Sequence, residues 1–216
     1  ADAVGVYATT LAASGDYPKA IAAAEEALRL AEGEDTLAGL AKVVALSGDR
    51  VRARQLYQRS LDRAGTNRRP VRRAALALLM WIDGDTAGAK AITAPCLTGG
   101  SEATVPERGT CLFVAGVVDP AQAEPIAQQL DTLAATATDA RPAYGAPKSL
   151  ALLVRARAAF FGGACVVDPA RADARPPKPG PPHADAYTAP LDFYGAYHVP
   201  FFATWAICER AAAAAG

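Results

Sequence analysis

The chain has 216 residues, and its 22 Lys+Arg balance its 22 Asp+Glu. A net charge of zero argues against a dedicated nucleic-acid binder, and a 51% apolar fraction argues against disorder. No apolar run reaches the roughly 18 residues a membrane-spanning helix needs; the longest, Ala74–Ile82 and Val199–Cys208, fall short. About a quarter of the residues are Ala, the best helix former. The expectation is a helix-rich, all-α protein.

The first residue is Ala. The start Ala-Asp-Ala suits either the mature end left by signal peptidase or a trimmed chain.

Three short signals recur in the first ninety residues: Ser14-Gly15-Asp16, Ser47-Gly48-Asp49 and Asp83-Gly84-Asp85. The glycines lie 33 and then 36 residues apart, and an Ala follows each Gly by five: Ala20, Ala53 and Ala89. Each signal predicts a helix-turn-helix unit. The Gly permits the left-handed backbone that ends one helix. The Asp accepts from the first free N–H groups of the next. The small Ala lets the two helices approach closely.

These units resemble the tetratricopeptide repeat family. In the first, Leu11, Gly15, Asp16, Tyr17, Ala20, Ile21, Ala24, Ala27 and Leu28 fall at family positions. In the second, Leu37, Leu40, Ala41, Val44, Gly48, Asp49, Ala53, Tyr57 and Leu61 do, Tyr57 taking the large aromatic position of the second helix. The third matches through Leu76, Ala77, Met80, Gly84, Asp85 and Ala89. Pro95 is expected to cut its second helix short. Val4 replaces the usual large aromatic of the first unit, and Glu32 and Gly65 stand where a terminal Pro is usual. The resemblance covers about residues 1–95 and implies an α-solenoid of three helical hairpins.

Residues 96–109 read as a loop rich in Gly, Pro and Thr. Thr110–Val118 reads as a short helix. Asp119-Pro120 then opens a helix to about Ala134, with Asp as cap and Pro in the first turn. Ser149–Phe161 is a further helix ended by Gly162-Gly163, with Leu150, Leu153, Val154, Ala158 and Phe161 on one face. Residues 96–163 are thus a degenerate helical continuation. In 166–190 seven prolines forbid regular structure. A Pro-rich, extended segment is expected, lying against the helical body or a neighbouring chain. The tail, 164–216 in all, closes on an aromatic helix from about Pro200 to Ala215. That helix, with Phe201, Trp205 and Cys208 on one face, caps the array, or the tail docks a partner through Tyr194, Tyr197, Phe201 and Trp205.

Four cysteines, Cys96, Cys111, Cys165 and Cys208, suit an oxidising compartment. Cys96–Cys111 and Cys165–Cys208 are the favoured bridges, against the two other connectivities and against four reduced, buried thiols. An extracytoplasmic location, periplasmic or secreted, follows from the oxidised reading, and a cytoplasmic one from the reduced.

The chemical inventory is thin. His183 and His198 are the only histidines, and no hydrolase, metalloprotease, Walker or Rossmann pattern occurs. No cofactor, metal or catalytic residue is expected. Nine arginines crowd Arg50–Arg73, with Asp62 the sole acid among them. They form either a solvated face or a docking patch for an acidic surface, in which Arg68, Arg69, Arg72 and Arg73 stand out. The resemblance also implies a concave face lined by the first helices: Gly5, Thr9 and Ala12, then Ala38, Lys42 and Ala45, then Ala74, Leu78 and Trp81. Trp81 is the expected anchor there and Lys42 the lone cation, so no carboxylate clamp is expected. The functional expectation is a non-enzymatic protein-interaction scaffold whose partner is a protein or peptide. The alternative is a structural subunit of a larger complex whose Pro-rich segment wraps a neighbour.

Overall fold

In the computed structural model, residues 2–98 and 103–136 are described, together with positions 150, 151 and 154. The Pro-rich segment, the aromatic tail, His183, His198, Cys165 and Cys208 lie outside the described residues.

Among the described residues up to 136, eight α-helices follow one another: α1 (Asp2–Ala13), α2 (Tyr17–Leu30), α3 (Glu34–Leu46), α4 (Arg50–Arg63), α5 (Arg69–Ile82), α6 (Thr86–Leu97), α7 (Val105–Val118) and α8 (Ala123–Thr136). Among the described residues there is no strand, so the protein is all-α there. None of these helices is long and apolar enough to cross a membrane. Each helix packs chiefly on its chain neighbours, and α5 also packs on α7. α1 and α2, α3 and α4, and α5 and α6 pair across tight turns.

The turns form for the reasons the sequence gives. Gly15, Gly48 and Gly84 hold φ of 83°, 97° and 87°, the left-handed region that costs a side-chain-bearing residue about 1 kcal/mol or more. At the first and third turns the Asp16 and Asp85 N–H groups reach back to the carbonyls of Leu11 and Met80, satisfying groups the helix end leaves open. Each Asp carboxylate then caps the next helix. Asp16 accepts from the Lys19 N–H at 3.3 Å, Asp49 from Arg52 at 3.0 Å and Asp85 from Gly88 at 2.9 Å. Ala20, Ala53 and Ala89 are fully buried, as close helix approach demands.

The third unit corrects one expectation. Pro95 does not end its helix: α6 continues to Leu97, with Pro95 inside it. The ring removes one N–H near the helix end, where few intrahelical bonds remain to be lost. The loop expected over 96–109 shrinks accordingly, because Cys96 lies in α6 and α7 begins at Val105. The start of α7 is built by a capping box. The Thr104 N–H donates to Glu107 Oε2 at 3.0 Å, with Pro106 in the first turn. Downstream, Pro120–Gln122 form a 3-10 turn that runs into α8. Asp119 does not cap it through its side chain; its carboxylate pairs with Lys90 at 2.9 Å.

Two apolar clusters make the core. One gathers Ala8, Ala20, Ala24, Leu37, Leu40, Val44 and Leu56 from α1–α4, joined by Leu79 of α5. The other gathers Leu76, Met80, Leu112, Phe113, Ile126 and Leu130 from α5–α8, and receives Leu150 and Val154. Leu150, Ala151 and Val154 are helical and buried, at the start of the helix expected over Ser149–Phe161. Tyr57 of α4 packs against both clusters and joins them. Its burial pushes the phenol up to about 12.

Candidate partner-binding surface

The arginine run proves to be the place where hairpins are tied together. Arg52 of α4 pairs with Glu25 of α2, at 2.5 Å, and Arg59 and Arg63 both reach Glu32, at 3.0 and 2.9 Å. From the same helix, Arg50 and Arg54 reach forward to Asp83 and Asp85, at 3.1 and 2.8 Å. One arginine-rich helix is thus neutralised by acids from the elements on both sides of it.

Three helix N-terminal ends meet in a denser cluster. Arg68, at the start of α5, pairs with Glu34 and Asp35 of α3 and with Glu107 of α7, the last two at 2.8 Å. Arg72 is buried, 8% exposed, and pairs with the same Glu34 and Asp35. Burial works to raise the Asp35 carboxyl, but the Arg68 and Arg72 guanidiniums outweigh it and hold it below its ordinary value. Glu107 is likewise held low. Burial opposes the shift, and the Thr104 N–H and hydroxyl together with Arg68 overcome it. Bonding to Asp35 raises the Arg68 guanidinium still further above neutrality. Two buried atoms, Glu34 Oε2 and Arg72 Nε, lack a hydrogen bond within this cluster, their separation being 3.5 Å.

The sequence-selected residues therefore divide. Arg68 and Arg72 are committed to internal acids. Arg69 is exposed and donates from Nε to the Ala64 carbonyl at 3.2 Å. Arg73 is half-buried and has no ion pair among the described residues. Lys42 is exposed on α3. Leu78 and Trp81 are half-buried and pack on the larger cluster, while Ala12, Ala38 and Ala74, expected to line an open face, are core residues. Tyr194, Tyr197, Phe201 and Trp205 lie outside the described residues.

A disulfide joins Cys96 in α6 to Cys111 in α7, both buried. It bridges two consecutive helices across the shortened loop. Among the described residues no group of three or more His, Cys, Asp or Glu is placed to hold a metal ion.

Sequence reasoning missed a cavity at the first hairpin. A cavity of about 330 Å³ opens between α1, α2 and the start of α3. Gly5, Ala8, Ala24 and Gly39 line it with almost no side chain, and Thr9, Asp35 and Thr36 are its polar lining residues. The Thr36 hydroxyl is already engaged with the Gly33 N–H at 2.9 Å and the Ala31 carbonyl at 2.7 Å. A second cleft of about 310 Å³ lies between α7 and α8, lined by Arg108, Gln129 and Leu133 among others. The sequence signal for the first is Ala24, at the position where the next hairpin carries Tyr57.

In comparisons with known proteins, the chain matches no protein-family model and no curated sequence.

Proposed function

We propose that the chain is a non-enzymatic protein-interaction scaffold built as a tetratricopeptide-like array of helical hairpins. The observation that carries this reading is the threefold Gly-Asp turn, each with a left-handed Gly, a capping Asp and a fully buried Ala at the same offset. A stack of such units has a long surface relative to its volume and binds extended or helical segments along it. Here the open groove at the first hairpin is the surface offered, and the partner is a protein or peptide. The buried Cys96–Cys111 bridge supports an extracytoplasmic setting, since disulfides persist where the medium is oxidising.

A photo-crosslinking amino acid at Thr9, on the groove, tests this against one at Gln55, on the exposed side of α4. Crosslinks to a discrete protein from Thr9 and none from Gln55 are expected. Equal or absent crosslinking at both sites would remove the reading. Cys96 and Cys111 should resist alkylation in denaturant until reduced. Free labelling would withdraw the compartment.

One observation favours the second reading, a structural subunit of a larger complex. Tyr7 is 56% exposed, whereas its counterparts by turn spacing, Leu40 and Leu76, are 2% and 1% exposed against preceding elements. Val6 beside it is also exposed. Native mass measurement would show a defined assembly in that case, and Tyr7→Ser would weaken it.

A further inference from the structure

The cavity at the first hairpin has a filled counterpart one unit further on. Counting from the turn glycines, Ala24 of α2 corresponds to Tyr57 of α4, since both lie nine residues after their Gly. On the first helices, Thr36 corresponds to Arg72 and Gly39 to Ala75, each twelve or nine residues before its Gly. Tyr57 packs between both core clusters, close enough to Arg72 for that charge to act on its phenol. The same place at the first hairpin is bounded by Ala24, Thr36 and Gly39, and it is open. Helix pairing and turn geometry are shared by the two units; Arg72 and Ala75 replace Thr36 and Gly39 as well, and the largest difference in volume is the phenol ring of Tyr57.

We propose that this cavity is a socket for an aromatic side chain, and specifically for a tyrosine carried by a partner polypeptide. The inference deepens the scaffold reading and rests on it for the identity of the partner as a polypeptide. The volume suffices, since an apolar protein cavity of about 150 Å³ accommodates benzene. The lining suits a phenol: Gly5, Ala8, Ala24 and Gly39 give an apolar floor for the ring, and the Asp35 carboxylate, already paired with Arg68 and Arg72, has oxygen lone pairs to accept from the hydroxyl. An aromatic ring entering a preformed concave site brings large contact area with few torsions to freeze.

The probe is p-cresol, the tyrosine side chain itself, titrated into the full 216-residue chain and followed by amide NMR. Saturable shifts at Gly5, Ala8 and Gly39 are expected, with isoamyl alcohol giving at least tenfold weaker binding. Ala24→Tyr should place the chain's own ring in the socket. The variant should stay folded, unfold at higher urea than the parent and lose p-cresol binding. Ala20→Tyr, at a site with no space, should be strongly destabilised. Scattered or unsaturable shifts, equal binding of the aliphatic alcohol, or p-cresol binding retained in a folded Ala24→Tyr would each overturn the socket. So would Ala24→Tyr destabilising as much as Ala20→Tyr. Failure here, with crosslinking at Thr9 intact, removes the tyrosine and leaves the scaffold. Failure of crosslinking with p-cresol bound removes the scaffold and leaves the socket.

Discussion

The junction after the first hairpin and the junction after the second share a backbone plan and differ in what fills them. After the second hairpin, Tyr57 packs against both clusters with Arg72 near it, and Arg68 and Arg72 bind Glu34, Asp35 and Glu107. After the first, Ala24 and Gly39 leave about 330 Å³ open. The turns are made by local rules and recur faithfully. The filling depends on residues from separate helices and is free to vary. A repeat can therefore keep its frame while becoming either a sealed joint or an open one.

The largest effect should come from unsealing the second joint. Tyr57→Ala removes a ring packed against both clusters and should cost about 4 kcal/mol in urea unfolding, as large-to-small core changes do. It should also create a second p-cresol site. A loss under about 1 kcal/mol would mean that the two junctions are not equivalent. Next comes the staple outside both joints. Replacing Cys96 and Cys111 together by Ala should cost about 3 kcal/mol, from the loop entropy restored to the unfolded chain across a separation of 15 residues. Unfolding measured under reducing conditions should match that variant and leave the first hairpin's groove unchanged.

Acid should discriminate between the joints by a smaller margin. Asp35 and Glu107 have folded values below their ordinary 3.8 and 4.5. The unfolded chain therefore binds protons first as pH falls. Their contribution is present above those ordinary values and is lost as pH drops through the lower folded ones. The unfolding midpoint should decline below about pH 4.5 for the parent. Arg68→Gln should flatten that decline, while Arg29→Gln, in an exposed pair with Glu26 of α2, should leave the second joint's acid response in place. An unchanged profile in Arg68→Gln would show that the cluster is not what acid dissolves. The smallest effect is at the outer ladder. Arg52→Ala should cost only about 0.5 kcal/mol, the usual worth of an exposed pair, and less again in high salt.

How far these joints are legible in sequence follows from the range of the forces. Gly15, Gly48 and Gly84 with their following Asp act within five residues, so the turns can be read directly. The boundary between α6 and α7 could not be read as easily. Gly, Pro and Thr are dense over 96–109, and the Thr104-x-x-Glu107 box that starts α7 stands among them, beside Pro106 and Gly109. The arginines read as a patch because their acids stand elsewhere in the chain. Arg52 and Glu25 are 27 residues apart, and Arg68 and Glu107 are 39 apart. Hydrophobic periodicity says nothing about which distant charge will face which. The cavity was hardest of all, because it is an absence. Ala24 is a good helix residue in a good helix position, and only its comparison with Tyr57 shows that volume is missing.

The ion pairs of α4 also match the order of the hairpins. That helix presents Arg52, Arg59 and Arg63 to Glu25 and Glu32 behind it, and Arg50 and Arg54 to Asp83 and Asp85 ahead. Its neighbours carry acids on the facing sides, so they suit it and do not suit each other. Excising the middle hairpin would bring Glu25 and Glu32 toward Asp83 and Asp85, like charge toward like. The units are cut to one backbone pattern, yet the middle one is addressed by charge to the neighbours on both its sides.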